Sequence, residues 1–204
     1  MDPVLSRRSI REYKDQPVSD ETVHTLLKAA MVAPSAGDER PWHFVVIHDR
    51  QIKEKIPEIL RFAPMAPDAP VAILVCGDEN LQKHHGFWVQ DCAAATEYIL
   101  IEAQQLGLGA VWLGVYPVEG RVQGFRRLLD IPEHVIPFAL VLVGHPAEHK
   151  KPADRYDDSR VHTNGWNVSR SASSDELLAH QPGNGKAAPV GTRQGRTHQA
   201  GCEQ

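Results

Sequence analysis

Three arginines and a serine are clustered near the start of the chain, in the stretch RRSIR of residues 7–11. If this stretch is extended, its first arginine, its serine and its last arginine share one face, and in a helix the two outer arginines still do. Guanidinium groups bind phosphate through paired, charge-assisted hydrogen bonds, and a serine hydroxyl adds another donor. The cluster therefore favours a phosphate site. The alternative is a solvated basic face, or ion pairs with Glu12 and Asp15.

A run of small residues, PSAGDERPW at positions 34–42, is the second candidate. Small residues let a backbone approach a flat ligand closely, while Pro41 and Trp42 fix the exit from the loop. The alternative is an ordinary connection between a helix and a strand. For Trp42 itself we predict a place in the core.

The glycines of GLGAVWLG, residues 107–114, superficially resemble a dinucleotide-binding loop. They follow a predicted helix and lead into a predicted strand, which reverses the order that aims helix amides at a pyrophosphate. Gly114 could still let backbone amides reach a ligand. His84 and His85 are expected at the surface, and Asp91 and Glu97 to pair with a basic residue or cap a neighbour. The sequence contains no GxSxG, GxxxxGK[ST] or HExxH motif, so the common hydrolases and nucleotide triphosphatases lack their signatures.

The composition restricts the function classes further. The chain has 204 residues and a formal net charge of -4, which gives no broad basic field for nucleic acid. Its apolar runs are shorter than the roughly 20 residues of a membrane-spanning helix, and its start lacks a signal peptide. Cys76, Cys92 and Cys202 follow no disulfide or zinc spacing, which favours a reducing cytoplasm. We therefore expect a cytoplasmic protein that has neither nucleic acid nor a membrane as a partner, and no metal site.

The elements that must position these residues follow from hydrophobic periodicity. A helix begins at the capping Ser19 and ends before Pro34, and residues 51–60 and 119–130 form weaker helices. Residues 88–106 are apolar around most of a helix, which predicts a helix buried on nearly all sides and a second subunit that covers part of it. Four short apolar runs predict strands at Phe44–His48, Val71–Cys76, Ala110–Val115 and Phe138–Val143.

Strands and helices without strict alternation indicate an α+β fold. Residues 169–204 have almost no large apolar side chains, so we predict a domain at 1–168 followed by a disordered tail at 169–204.

In this order, the clusters resemble the nitroreductase family over residues 3–168. The matching segments are RRSIREY, VSDETVHTLLKAAMVAPSA with PWHFVVI, APVAILVCGD, WVQDCAAATEYILIEAQQLGLGAVWLG and ALVLVGHPAEHKKPADR. The resemblance implies a mainly antiparallel sheet flanked by helices, and a homodimer formed through the long helix with C-terminal segments that reach across the partner. It also implies two FMN sites at the interface, each built from both chains.

Carried over by position, the phosphate and ribityl end of FMN would be bound by Arg7, Arg8, Ser9, Arg11 and Arg155. The ring would be lined by Pro34, Ser35, Ala36 and Gly37 of the other subunit, and by the backbone of Leu113 and Gly114. The family often has Asn and Gln where this chain has Asp38 and Arg40, so neither is assigned a flavin contact. No side chain is assigned as catalytic.

The resemblance implies an oxidoreductase that passes hydride from NADH or NADPH through FMN to a small acceptor such as a nitroaromatic or a quinone, with ping-pong turnover. The alternatives are an FMN-dependent dehalogenase, a flavin-processing relative, or a flavin-binding dimer without catalysis.

Overall fold

A four-stranded antiparallel sheet with the strand order β1-β2-β4-β3 organises the fold. Its strands are β1 (Trp42–Ile47), β2 (Val71–Asp78), β3 (Gly109–Gly114) and β4 (Val135–Gly144). The four predicted strands are thus found, each shifted or lengthened by a few residues. Every residue of β2 is buried because helices cover both faces of the sheet, which explains why the sequence shows continuous apolar runs in place of an alternating pattern.

Five helices surround the sheet within residues 2–166. They are α1 (Pro3–Ser6), α2 (Asp20–Met31), α3 (Arg50–Ile59), α4 (Trp88–Gln105) and α5 (Glu119–Leu129). The hydroxyl of Ser19 accepts a hydrogen bond from the Thr22 amide at 3.2 Å, so the predicted cap of α2 is confirmed. The short helix α1 was not predicted, because four residues are too few to show a period. Its amides are capped by the Asp2 carboxylate.

Two apolar cores lie on the two faces of the sheet. Helices α2 and α4 pack on one face, where Ile73 of β2 and Trp42 are buried, as expected for this tryptophan. Helices α3 and α5 pack on the other face, where Leu74 of β2 and Phe125 of α5 are buried. Because adjacent residues of a strand point to opposite faces, β2 contributes to both cores. The architecture is α+β, as predicted.

Helix α4 is buried along one face only. That face carries Trp88, Asp91, Cys92, Ala95, Thr96, Ile99, Leu100 and Ala103. On the opposite side Tyr98 is 38% exposed, and Ala94 and Ile101 are partly exposed. The elements of the single chain cover only about half of the helix, so the predicted burial on nearly all sides would need the predicted second subunit and stays a prediction. The helix ends at Gln105, and beyond it Gly107, whose φ is 72°, lets the Leu108 amide bond the Ala103 carbonyl at 2.8 Å.

The structure, a computed structural model, describes residues 2–166. The chain divides into a first unit that ends at Ala153 and a second that begins at Asp154. Within the described part of the second unit there is one short 3₁₀ turn, Asp158–Arg160. The predicted boundary at 168 and the predicted tail at 169–204 lie outside the described residues. No helix within residues 2–166 is long and apolar enough to span a membrane.

Candidate functional site

The arginine segment, residues 7–11, runs in an extended conformation beside the first residues of β3. The Ile10 amide donates a hydrogen bond of 3.0 Å to the Ala110 carbonyl, and Ser9 forms a parallel bridge with Ala110. Ile10 is 6% exposed and contacts β3, whereas Arg11 is exposed. Of the two conformations considered for residues 7–11, extended and helical, the structure therefore has the extended one.

The segment that follows β4 fixes the arginine segment from the other side. The Glu148 carboxylate accepts hydrogen bonds from the Arg11 amide at 2.6 Å and from the Lys150 ammonium at 2.9 Å. Lys150 also donates to the Ser9 carbonyl at 2.9 Å. The Arg11 amide, followed by Lys150, lowers the pKa of Glu148 despite its partial burial. The position of the arginine segment thus depends on its main chain, and the Arg11 side chain remains exposed.

The three guanidinium groups have different surroundings. Arg7 forms an ion pair with Glu97 of α4, at 3.2 Å between Nε and Oε1. Arg8 lines a cavity of about 180 Å³, and within residues 2–166 its buried Nε has no hydrogen-bond partner. In the same part of the chain, Arg11 forms no ion pair with Glu12 or Asp15, which was the alternative considered for it. Other residues that line the cavity are Gln104, Glu148, His149 and Lys150.

At the C-terminal end of β3, the backbone of Gly114 is not covered by other atoms of residues 2–166. Leu113 is buried, but a side chain placed on Gly114 would meet no other atom within 4 Å. The Gly114 carbonyl accepts a hydrogen bond of 3.0 Å from Arg121, whose guanidinium lies 4.8 Å from the Phe62 ring centre. Four residues separate Gly114 from Ala110, which is about 13 Å along a strand. A ligand with a phosphate and a flat ring joined by an extended chain would fit this span.

The 34–38 loop connects α2 to β1 through strained backbone. Gly37 and Asp38 have φ values of 54° and 53°, in the left-handed region. A side chain at Gly37 would lie 2.7 Å from Nε2 of His84, so the exposed His84 covers this glycine. Arg40 bonds the Asp38 carboxylate at 2.8 Å, and its amide donates to the Ser35 hydroxyl. The two residues that depart from the family pattern therefore pair with each other.

Two buried carboxyl groups lie under this loop. Asp91 of α4 is 4% exposed, and its Oδ1 accepts a hydrogen bond from the Ala36 amide at 3.0 Å. Glu39 is 7% exposed, and its Oε2 accepts from the amides of Lys83 at 2.6 Å and His84 at 3.0 Å. Asp91 therefore caps a backbone amide of the loop, the second of the two roles predicted for it, and within residues 2–166 no basic side chain forms an ion pair with it. The prediction for Glu97 is confirmed by Arg7.

The electrostatics of these two acids differ. Burial raises the pKa of Asp91; the Ala36 amide opposes this, and the hydrogen bond with Glu39 and the charge of Glu39 raise the pKa further. Burial also disfavours ionisation of Glu39, but the amides of Lys83 and His84, the Asp91 side chain and the charge of His84 outweigh it and lower its pKa. Glu39 is thus the ionised member of the pair.

The arginine segment and the 34–38 loop lie at opposite corners of the sheet. The loop leads into β1, whereas the arginine segment adjoins β3, and these edge strands are three strand spacings, or about 14 Å, apart. Helix α4 joins the two regions, because Asp91 contacts the loop and Gln104 lines the Arg8 cavity. Thirteen residues of helix separate these positions, which is about 20 Å. One chain therefore does not bring its own two predicted regions together.

Several residues of this geometry were not predicted. Glu39, Lys150 and Glu148 act on the main chain of segments distant in sequence, and no local motif marks such contacts. Arg121 is a cation seven residues beyond the glycine run, yet spacing alone does not aim it at Gly114. Arg155, predicted as a phosphate ligand, lies exposed in the second unit.

Comparison with known proteins shows the family to which this chain belongs. The sequence profile of the nitroreductase family matches residues 4–63 and 59–145. A Methanothermobacter thermautotrophicus protein, provisionally named an NADH dehydrogenase/NAD(P)H nitroreductase, is 53% identical over 166 residues, which cover 81% of this chain and 87% of the relative.

Solved structures agree with this result. A Clostridium acetobutylicum protein provisionally named an NADH oxidase has a TM-score of 0.78 at 42% identity, covering 80% of this chain and 99% of its own. An FMN-dependent nitroreductase from Clostridium difficile R20291 has a TM-score of 0.75 at 29% identity, covering 80% and 98%. The chain has the nitroreductase fold and belongs to the nitroreductase family.

Proposed function

We propose that this protein is an FMN-dependent oxidoreductase that uses NADH or NADPH to reduce a small acceptor such as a nitroaromatic or a quinone. The family match and the names of the relatives support the oxidoreductase class, the cofactor and the nicotinamide donor. The acceptor and ping-pong turnover follow from the family resemblance. A cytoplasmic location remains a prediction from the cysteine content.

The buried Nε of Arg8, which has no hydrogen-bond partner within residues 2–166, carries the proposal. A buried donor without an acceptor is costly, and a phosphate at the cavity mouth would supply that acceptor. Lys150 lies at the same cavity, and the exposed Arg11 is three residues away in the chain. Glu148 adds a negative charge there, but Lys150 and the Arg11 amide already bond it. These residues fit the phosphate end of FMN.

The bare backbone near Gly114 fits the ring end. A flat ring can lie against a glycine that has no other atom above it, and Arg121 keeps the Gly114 carbonyl engaged. The chemistry that FMN supplies when bound is hydride transfer from the nicotinamide and then to the acceptor. The residues of this chain would bind and orient the flavin through backbone groups, and the nicotinamide donor and the acceptor would use the same pocket in turn. No acid–base triad is needed.

We further propose that each site is shared by two chains of a homodimer. The partly exposed face of α4 includes Tyr98 and Ile101 and borders a cavity of about 590 Å³ that Val32 of α2 also lines. A twofold axis across this face would pair α4 with its copy in the antiparallel sense. The 34–38 loop of one chain would then approach the arginine segment of the other, as the family resemblance implies.

Purification followed by anaerobic addition of NADH or NADPH tests the activity. We expect a yellow protein that releases FMN on denaturation, whose flavin bleaches with the nicotinamide and recovers with a quinone or nitroaromatic. Release of FAD alone, or failure to bind added FMN, would contradict the cofactor assignment. Bound FMN that no nicotinamide bleaches would favour a flavin-binding dimer without catalysis. Turnover of a halogenated aromatic alone, or fragmentation of the flavin, would favour the other two alternatives.

Mixed dimers test whether sites are shared. One chain carries Arg8→Ala and Arg11→Ala, and the other carries Gly37→Val, whose side chain collides with His84. If sites are shared, the mixed dimer has one undamaged site and one doubly damaged site, so it binds about half as much FMN as the wild type. If each chain forms its own site, both sites are damaged and the mixed dimer binds little FMN.

A further inference from the structure

Glu39 and Asp91 each bury one carboxyl oxygen, Oε1 of Glu39 and Oδ2 of Asp91, that has no hydrogen-bond partner within residues 2–166. A hydrogen bond with Glu39 and the charge of Glu39 help to raise the pKa of Asp91, which indicates that the two carboxyl groups lie next to each other. Two carboxylates have no hydrogen to share, so such a bond requires a proton on one of them. The other two oxygens accept backbone amides, which leaves the proton at the contact between the acids.

We propose that Glu39 and Asp91 share one proton and that this protonated pair positions the 34–38 loop, so the pair acts as a positioning element for FMN binding. The inference rests on the proposed function, in which this loop lines the flavin ring. Asp91 fixes the loop through the Ala36 amide, and Glu39 fixes residues 83–84, from which His84 reaches back over Gly37. The pair therefore joins both segments to α4.

Loss of the shared proton would place two negative charges in contact in a buried site, which is strongly unfavourable. Other titratable groups near the pair are His84, whose charge favours ionised Glu39, and the buried thiol of Cys92 next to Asp91. Because the pKa of Asp91 is raised, the protonated contact is complete at low pH and weakens as pH rises through that raised value. FMN affinity should fall with it.

Amide substitutions test the shared proton directly. In Asp91→Asn, the amide can donate to Glu39 while its oxygen still accepts from Ala36. In Glu39→Gln, the amide can donate to an ionised Asp91 while its oxygen still accepts from residues 83–84. Each single variant therefore keeps one donor and one acceptor at the contact. The double variant keeps both backbone bonds only by turning two NH₂ groups towards each other.

The experiment titrates wild-type protein and the three variants with FMN across a range of pH. We expect both single variants to bind within about threefold of the wild type at low pH, and the double variant about tenfold to a hundredfold more weakly. At high pH the wild type should weaken while both single variants do not. An infrared band of a protonated carboxyl group should be present in the wild type and absent from Asp91→Asn.

Several outcomes would overturn the proposal. A double variant that binds as well as the single variants would show that no proton is shared, and a pH response that survives in Asp91→Asn but disappears in His84→Gln would assign the titration to His84. Failure of the wild type to bind FMN at any pH would instead reject the proposed function. In that case the infrared band and the thermal stability of the four proteins still test the shared proton.

Discussion

The arginine segment and the 34–38 loop are both proposed to contact the same cofactor, yet they are positioned in opposite ways. Main-chain bonds to Ala110, Glu148 and Lys150 fix the arginine segment, while the Arg8 side chain lines a cavity and the Arg11 side chain is exposed. The loop is fixed by Asp91 and by contacts that depend on Glu39, both of them buried. Side chains of the first region can therefore be changed with little effect on folding, whereas those beneath the second cannot.

The largest expected effect follows removal of the buried acid in Glu39→Ala. Two backbone amides and the Asp91 carboxyl would lose their partner in a buried site, and each unsatisfied group costs about 1–3 kcal/mol. Because water can reach part of the gap, we expect the free energy of unfolding to fall by about 2–4 kcal/mol. Denaturant unfolding of the flavin-free protein measures it.

Glu54→Ala is the matched control, because Glu54 is exposed and its ion-pair partner within residues 2–166 is Arg50, at 3.0 Å. An exposed pair of this kind contributes about 0.3–0.5 kcal/mol. Equal losses of stability in the two alanine variants would remove the contrast between the two regions.

The second-largest expected effect is a loss of cofactor affinity that leaves the stability of the protein unchanged. In Arg11→Ala an exposed guanidinium is lost while the Arg11 amide still bonds Glu148. If Arg11 contacts the FMN phosphate, its loss costs about 1.5–3 kcal/mol, which is about a tenfold to hundredfold loss of affinity. Riboflavin, which lacks the phosphate, should bind the variant and the wild type equally, and unfolding without flavin should hardly change.

Arg61→Ala serves as the control, since Arg61 is an exposed arginine outside the segment. Parallel titrations with FMN and riboflavin decide the outcome. A similar loss of affinity for both flavins would place Arg11 outside the phosphate site.

The contrast between the arginine segment and the 34–38 loop also explains which parts of the structure could be predicted from the sequence. The sheet and the larger helices were predicted because runs of apolar residues and the Ser19 cap are local signals. The arginine segment was found because its chemistry is in its side chains. The supports of the 34–38 loop were not found, since Glu39 meets Lys83 and Asp91 only after the chain has folded. A charged residue that becomes buried has no distinct signal in a single sequence.

The burial of α4 could be predicted from the sequence, but the origin of its cover could not. An apolar helix surface indicates that something covers it, but not whether the cover comes from the same chain. Here α2 and the sheet cover one face, and Tyr98 and Ile101 on the other remain partly exposed. The difference between the prediction and the single chain corresponds to the face assigned above to the second subunit.

A smaller effect is expected from the pH dependence of Glu148. Its lowered pKa means that the ionised contact with Arg11 and Lys150 is complete above the ordinary value for a glutamate and is lost as pH falls through the lowered value. Glu148→Gln keeps an acceptor for the Arg11 amide but loses the charge. We expect FMN to bind this variant about fivefold more weakly at neutral pH, a change of roughly 1 kcal/mol.

The ratio of the wild-type and variant affinities is the measurement, because protonation of the FMN phosphate affects both proteins alike. This ratio should approach one in acid. A ratio that stays constant over the whole range would show that the charge of Glu148 does not contribute to the arginine segment.

The smallest effect separates the arginines from one another. Arg7 is the member already paired, with Glu97 at 3.2 Å, and both side chains are partly exposed, at 26% and 42%. If this pair persists with FMN bound, Arg7→Ala should change FMN affinity by less than about threefold and stability by at most about 1 kcal/mol. Arg7 belongs to the phosphate site only if it leaves Glu97 when the ligand binds.

Glu97→Ala distinguishes these cases, because it frees the guanidinium of Arg7. FMN affinity should rise if Glu97 competes with the phosphate for Arg7, and it should stay constant if Arg7 only pairs with α4. An Arg7→Ala loss as large as that of Arg11→Ala would show that all the arginines of the segment act on the ligand together.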